Sequence, residues 1–271
     1  MLEAAARLTV DDLTATAVRE LAYADLVALG PVDNTPPGGA ATVDSWIRHA
    51  TIGPESRILD LACSTGFSSR RIAGLTGARA VGIDIAERPV LEARARSDSQ
   101  GLAGACRYLT ADAARMPFED ASFSHVVAGC TFAFIADREA ALDEAARVLE
   151  PGGRLCIATF AYARTPPASM LDAVERELGF RPRPERTPAF WDSFFRRRFR
   201  RAFEEPIPLP VATERDVRMS AARAALAAAG GVDPRLAEVR AALRERLAAA
   251  WLTLNEHRRY QVGILSVWRR P

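Results

Sequence analysis

Residues Ile58–Phe67 read ILDLACSTGF. Apolar side chains flank Asp60, the chain then turns small and polar, and Gly66 opens a run with helical character. A buried parallel strand has this near-continuous apolar signature, because helices cover both of its faces. Passing from such a strand through a tight turn into a helix presents backbone N–H groups to a ligand that needs close approach, usually a nucleotide-like one. A single glycine-bearing turn is weak evidence, so its weight depends on the neighbouring stretches.

Working outward, VGIDI (Val81–Ile85) ends a second strand in an acid, Asp84, 24 residues after Asp60. TADAARMPFEDASFSHVV (Thr110–Val127) and LEPGGRL (Leu149–Leu155) follow. The patterning predicts strands over 57–62, 80–84, near Tyr108, over 124–129 and over 154–160. Helices are expected from Phe67 and over 88–96 and 138–149. Strand and helix thus alternate, and right-handed crossovers place the strand carboxyl ends along one edge. Upstream, Thr9–Asp12 resembles a capping box for one amphipathic helix, LTATAVRELAYADLVAL, stopped by Gly30 and Pro31. The turn-rich VDNTPPGGAA linker and a short helix, TVDSWIRHA, lead into the first strand. Residues 164–200 are irregular, although FWDSFFRRRFRR (190–201) has the spacing of an amphipathic cap helix with a solvated basic face. FEEPIPLPV (203–211) reads as a proline-interrupted edge strand, followed by helices over 214–229 and 234–255 and a closing strand, YQVGILSVW (260–268).

Composition excludes more than it selects. With 271 residues, 49% hydrophobic and 26% charged, the chain is ordinary for a globular protein. A net charge of +2 gives no footprint for nucleic acid, although every basic residue other than histidine is arginine. The four cysteines (Cys63, Cys106, Cys130, Cys156) lack CxxC spacing and the three histidines are scattered, so buried thiols are expected and no metal site. No signal peptide or spanning apolar run is read, and a cytoplasmic protein is expected.

The four motifs together resemble the class I S-adenosylmethionine-dependent methyltransferases over roughly residues 55–160. The resemblance implies an α/β, Rossmann-like, doubly wound sheet, mostly parallel with one antiparallel closing strand. An N-terminal helical lid (1–54), a cofactor-binding core (55–163), a cap insertion with an edge strand (164–258) and the closing strand (259–271) complete the expected organisation. It also implies S-adenosylmethionine as cofactor, with S-adenosylhomocysteine or methylthioadenosine as product. Asp60 would order the turn and meet the methionine ammonium through water. Ala62, Cys63, Ser64, Thr65 and Gly66 would approach the methionine portion and the ribose. Asp84 would accept from both ribose hydroxyls with Ile85 beside it, Asp112 and Ala113 would read the adenine edge, and Cys130 would line the floor near the sulfonium. Ala62 and Ser64 stand where the family commonly has glycine, so positive φ there would be strained. A nicotinamide enzyme is disfavoured, because the turn lacks G-x-G-x-x-G.

For the chemistry, Asn34, Tyr23 and Tyr260 are candidates to orient a reacting group. Phe132, Phe134, Tyr162 and His257 are candidates for a substrate wall, with core packing the alternative for at least one aromatic. His125, inside a strand, reads as structural. The expected function is methyl transfer to a small molecule of secondary metabolism, with no nucleic-acid or membrane partner and with a homodimer allowed. The DNTPPGG loop and ACSTGF turn also resemble, more faintly, relatives that cyclise S-adenosylmethionine itself and release methylthioadenosine. A non-catalytic binding protein is the third reading.

Overall fold

The computed structural model describes residues 10–29, 33–229 and 234–271. The expected cap Thr9 and the stop at Gly30–Pro31 lie outside them. Thr14 caps α1 (Ala15–Glu20), its Oγ1 accepting from Ala17 N at 3.2 Å. The single helix expected here is two, because Leu21 is extended (ψ 136°) and α2 (Tyr23–Leu29) begins afresh. There follow α3 (Ala40–His49), β1 (Arg57–Leu61), α4 (Phe67–Thr76), β2 (Arg79–Asp84), α5 (Glu87–Ser99), β3 (Cys106–Thr110) and β4 (Phe123–Gly129). Next come α6 (Arg138–Val148), β5 (Leu149–Tyr162), α7 (Ala168–Leu178), α8 (Pro188–Arg196) and β6 (Arg200–Ile207). Then α9 (Glu214–Ala228), α10 (Pro234–His257) and β7 (Gln261–Arg269) complete the order.

The seven strands form one sheet in the order β3-β2-β1-β4-β5-β7-β6. The β1–β2, β2–β3, β1–β4 and β4–β5 pairs are parallel, and β6–β7 is antiparallel. The order in which strands are added reverses between β1 and β4, and the carboxyl ends at such a switch point are the usual ligand position in these sheets. Side chains alternate between two cores, as the pleat requires. Leu59, Leu61, Val126, Leu155 and Ile157 pack on one face with α6 and the aromatics of α8. Ile58, Ala80, Val127, Cys156 and Ala158 pack on the other with α3, α4 and α5. Pro206 lies in the edge strand β6, where its missing N–H costs little.

The chain divides into two compact units, and the division differs from the expected one. The sheet unit takes Asn34–Ala163, Glu185–Leu209 and Val262–Pro271. It therefore begins well before residue 55 and includes part of the expected cap. The reason is burial. Trp46 of α3 is fully buried, its Nε1 donating to Ile157 O at 3.3 Å, and Trp191, Phe194 and Phe195 of α8 are core residues. The second unit is helical and takes in the described residues up to Asp33, Arg164–Pro184 and Pro210–Gln261. Its centre is Val18, Leu26, Ala221, Ala225, Leu243 and Leu247. The helix α7, which the proline-rich surroundings concealed, packs there through Val174 and Leu178.

Candidate functional site

The turn after β1 is built from left-handed residues. Ala62 (φ 51°), Ser64 (φ 47°) and Gly66 (φ 77°) all lie there, so the conflict expected at the two non-glycine positions is present. Such a conformation costs an L-residue roughly 1–2 kcal/mol, and surrounding bonds must hold it. Cys63 N donates to Ile83 O, Gly66 N to Cys63 O, and Ser64 N to Asp84 Oδ2 at 2.9 Å. Gly66 itself admits no side chain, since a Cβ there would sit 2.7 Å from the Tyr108 hydroxyl.

Two acids support this turn in different ways. Asp84 accepts from Ser64 N on Oδ2 and from Ala86 N on Oδ1, each at 2.9 Å. A carboxylate has about four lone-pair sites, so each oxygen keeps capacity for another donor. Partial burial raises its pKa, and the backbone donors oppose that rise. Beside it Ile85 is 75% exposed, an unusual place for a large apolar residue. Asp60 is instead buried (3% exposed), and its Oδ2 accepts from Ser69 N at 3.1 Å and Ser69 Oγ at 2.5 Å. Burial pushes its carboxyl up to about 6. Its bonds to Ser69 tie β1 to the first turn of α4. The buried Arg70 braces the same turn, donating to Thr65 O and to Gln100 Oε1.

The other strand ends complete the edge. After β3, Asp112 Oδ1 accepts from Ala114 N at 2.8 Å and Asp112 O from Arg115 N at 3.0 Å, a tight turn that also holds Ala113. After β4, Cys130 is left-handed (φ 65°) and buried, its thiol pushed up to about 11. Thr131 Oγ1 donates to Leu61 O at 2.8 Å, fixing the β4 end to the β1 end. Phe132 is 3% exposed and lies edge-on to Phe194 and Phe195, so it belongs to the core and not to a substrate wall. Phe134 is 56% exposed, and Tyr162, at the end of β5, is buried.

A short strap crosses this edge. Asn34 N donates to Thr65 Oγ1 at 3.3 Å, and Asn34 Nδ2 to Ser64 Oγ at 3.2 Å. Pro36 lies so close to Gly129 that a Cβ there would sit 2.8 Å from the Pro36 Cβ. Thr42 Oγ1 bonds Pro37 O, and α3 is held to α4 by the two-pronged Asp44–Arg71 pair, both contacts at 2.7 Å. The structure therefore brings together Asn34, the 62–66 turn, Asp84, Ile85 and the end of β4.

Tyr23, His257 and Tyr260 belong to the helical unit. Tyr23 packs with Trp251, and burial raises its hydroxyl pKa. His257 is buried, which lowers its pKa to about 4, so it is neutral at pH 7. Tyr260 lies under the Arg164 guanidinium, 5.5 Å from the ring centre. The NEHRRYQ segment is thus not uniformly solvated: Asn255 is buried and bonds both Ala212 O and Ala212 N. His125 is structural, its ring nitrogens bonded to Ser124 Oγ and Ala50 O. The four cysteines are buried and unpaired. Among the described residues no cluster of His, Cys, Asp or Glu fits a metal ion, and no helix is long and apolar enough to cross a membrane.

A methyltransferase-domain family model matches residues 59–157, the span from β1 through β5. The crystal structure of MccD protein is 37% identical, covers 88% of this chain and all of that one, and superposes with a TM-score of 0.75. The chain belongs to the class I S-adenosylmethionine-dependent methyltransferases. Within that family, O-methyltransferase resE of Aspergillus sclerotiorum is 42% identical over 101 residues, 37% of this chain and 38% of that protein. The chain thus spans well under half the length of the curated relatives it matches first. The [4+2]-cyclase SpnF shares the fold at 20% identity, with a TM-score of 0.64 over 90% of each chain. The supporting residues Ser69 and Arg70 escaped the sequence reading, because their partners lie elsewhere in the chain and become neighbours only on folding.

Proposed function

We propose that this family member binds S-adenosylmethionine at the β1–α4 turn and transfers its methyl group to a small molecule of secondary metabolism. The observation that carries the reading is Asp84. Its two oxygens are aimed by Ser64 N and Ala86 N, keep acceptor capacity for a pair of ribose hydroxyls, and adjoin the exposed apolar face of Ile85. The left-handed Ala62, Ser64 and Gly66 bring backbone close to the ligand, and Asp112 and Ala113 offer an acceptor and a backbone donor to an adenine edge. Bound there, the cofactor supplies an activated methyl on a sulfonium. The protein then contributes mainly positioning, which alone is worth several orders of magnitude in rate. Asn34, anchored on Ser64 and Thr65, and Phe134 orient and face the acceptor. Cytoplasmic residence fits four unpaired cysteines.

A second reading keeps the ligand and changes the reaction, so that the amine or α-carbon of the aminobutyrate arm attacks the γ-carbon, a ring closes and methylthioadenosine leaves. The observation favouring it is the Asn34 amide held directly over the turn that would carry that arm. The fold does not decide between them, since function resides in the site. Mass spectrometry of pure protein incubated with S-adenosylmethionine decides. S-adenosylhomocysteine formed only with an acceptor supports methyl transfer. Methylthioadenosine formed without one supports cyclisation or lysis, and binding with neither product supports a non-catalytic role. In the first two cases Asn34→Ala should cut turnover while melting temperature and cofactor affinity stay near wild type.

A further inference from the structure

Arg147, on α6, divides its donors between Glu144 on its own helix and the 116–120 loop, to which it does not belong. Its Nε donates to Glu144 Oε1 at 2.6 Å, and its Nη2 to Glu144 Oε2 at 2.8 Å and Met116 O at 3.3 Å. Its Nη1 donates to Phe118 O at 2.7 Å and Asp120 Oδ1 at 2.8 Å. That is five bonds for the five N–H groups of a guanidinium. Glu144, gripped by Arg147, in turn accepts from Met116 N at 2.7 Å. Both backbone groups of Met116 are therefore held by one ion pair, and its side chain is buried in the core. Four residues earlier, Asp112 begins the tight turn closed by Ala114 N on Oδ1 and Arg115 N on its carbonyl. The 112–115 turn is thus a rigid piece between β3 and a clamped Met116, with little freedom to shift along the sheet edge.

We infer that the Glu144–Arg147 pair is a positioning and specificity element that sets the height of the Asp112–Ala113 turn, and with it the selectivity for adenine over other purines. The inference rests on the cofactor reading above. Asp112 Oδ1 is committed to Ala114 N, which leaves Oδ2 as an acceptor for an exocyclic amine. Hypoxanthine presents a carbonyl in place of that amine, so a carboxylate in fixed position repels it. A carboxylate on a loosened turn retreats and discriminates less. The planar guanidinium fork is required, because a lysine ammonium cannot serve two carbonyls and two carboxylates in this geometry.

The test measures dissociation constants for S-adenosylhomocysteine and S-inosylhomocysteine in wild type, Arg147→Lys and Glu144→Gln, with melting temperatures recorded alongside. The ratio of the two constants should fall about tenfold in either folded variant, the loss of roughly one well-placed hydrogen bond. If Arg147→Lys does not fold, Glu144→Gln carries the comparison with the same expected fall. A merely structural pair would lower melting temperature and weaken both ligands equally, and an unchanged ratio would overturn the inference while leaving the cofactor reading intact. Wild-type protein that binds neither ligand would overturn both.

Discussion

Asp60 and Asp84 stand at the ends of neighbouring strands and are placed for opposite tasks. Asp84 is aimed outward, and Asp84→Ala should weaken S-adenosylhomocysteine binding by on the order of 1.5–3 kcal/mol per lost charge-assisted bond. Titration calorimetry on a folded variant checks this, and an unchanged affinity would remove Asp84 from the site. Asp60 is aimed inward, and its pKa is raised from 3.8 to about 6 by burial. Between those values the native state keeps a proton that the unfolded chain has lost. Its contribution to stability is therefore present in acid and declines as pH rises from about 4 to 6, by at most on the order of 3 kcal/mol. Asp60→Asn should abolish that decline, so the stability of the variant relative to wild type should grow over this window and level off above it. Chemical denaturation at a series of pH values measures the difference. Ala62, held left-handed without being glycine, gives a third expectation: Ala62→Gly should raise stability by up to about 1 kcal/mol, read as a higher melting temperature. The sequence placed Asp84 at the end of a strand and flagged the conflict at Ala62 and Ser64, because both readings lie within a single local pattern. It was silent on Ser69 beneath Asp60 and on Glu144 beneath Met116, which meet only after the chain has folded.

Helix α8 is where sequence and structure part most instructively. Its spacing of Phe190, Trp191, Phe194 and Phe195 was legible as one apolar face, and that face does point inward. What the spacing could not convey is the destination. These rings lie against Phe132 and Trp268 in the same core as β1 and β4, and Trp191 Nε1 donates to Phe160 O at 3.1 Å. A segment that reads as a peripheral cap is thus part of the sheet's own support. Trp191→Ala should cost about 3–5 kcal/mol by urea denaturation, the range for an aromatic lost from a packed core. A surface cap would lose far less. Helix α7 was not legible, since prolines at 166 and 167 and the irregular stretch around it mask a regular amphipathic run. Strand boundaries shifted for a simpler reason: β5 continues back through Pro151 and Gly152 to Leu149, and its register with β4 shifts across this turn-like stretch, where Gly152 is left-handed (φ 78°). The strap at 34–37, read in sequence as a proline-stiffened linker carrying the candidate Asn34, is seated by Gly129, whose missing side chain makes room for Pro36.

At the scale of the molecule, the sheet unit is assembled from three separated stretches of chain, and the last of them supplies β7. That strand does not extend the sheet at its margin. It lies between β5 and β6, with Trp268 fully buried against α8. A chain shortened to residue 260 should therefore lose its cooperative thermal transition altogether, whereas removal of a true margin strand would only lower its midpoint. The same arrangement bears on biosynthesis. Until β7 emerges, β5 and β6 each present a row of unpaired backbone groups, the kind of edge that templates aggregation. Pairings between residues so distant in sequence also form slowly. From the emergence of β6 until β7 follows it, the sheet thus has an open slot one place in from its margin, and two unsatisfied strand edges face each other across it.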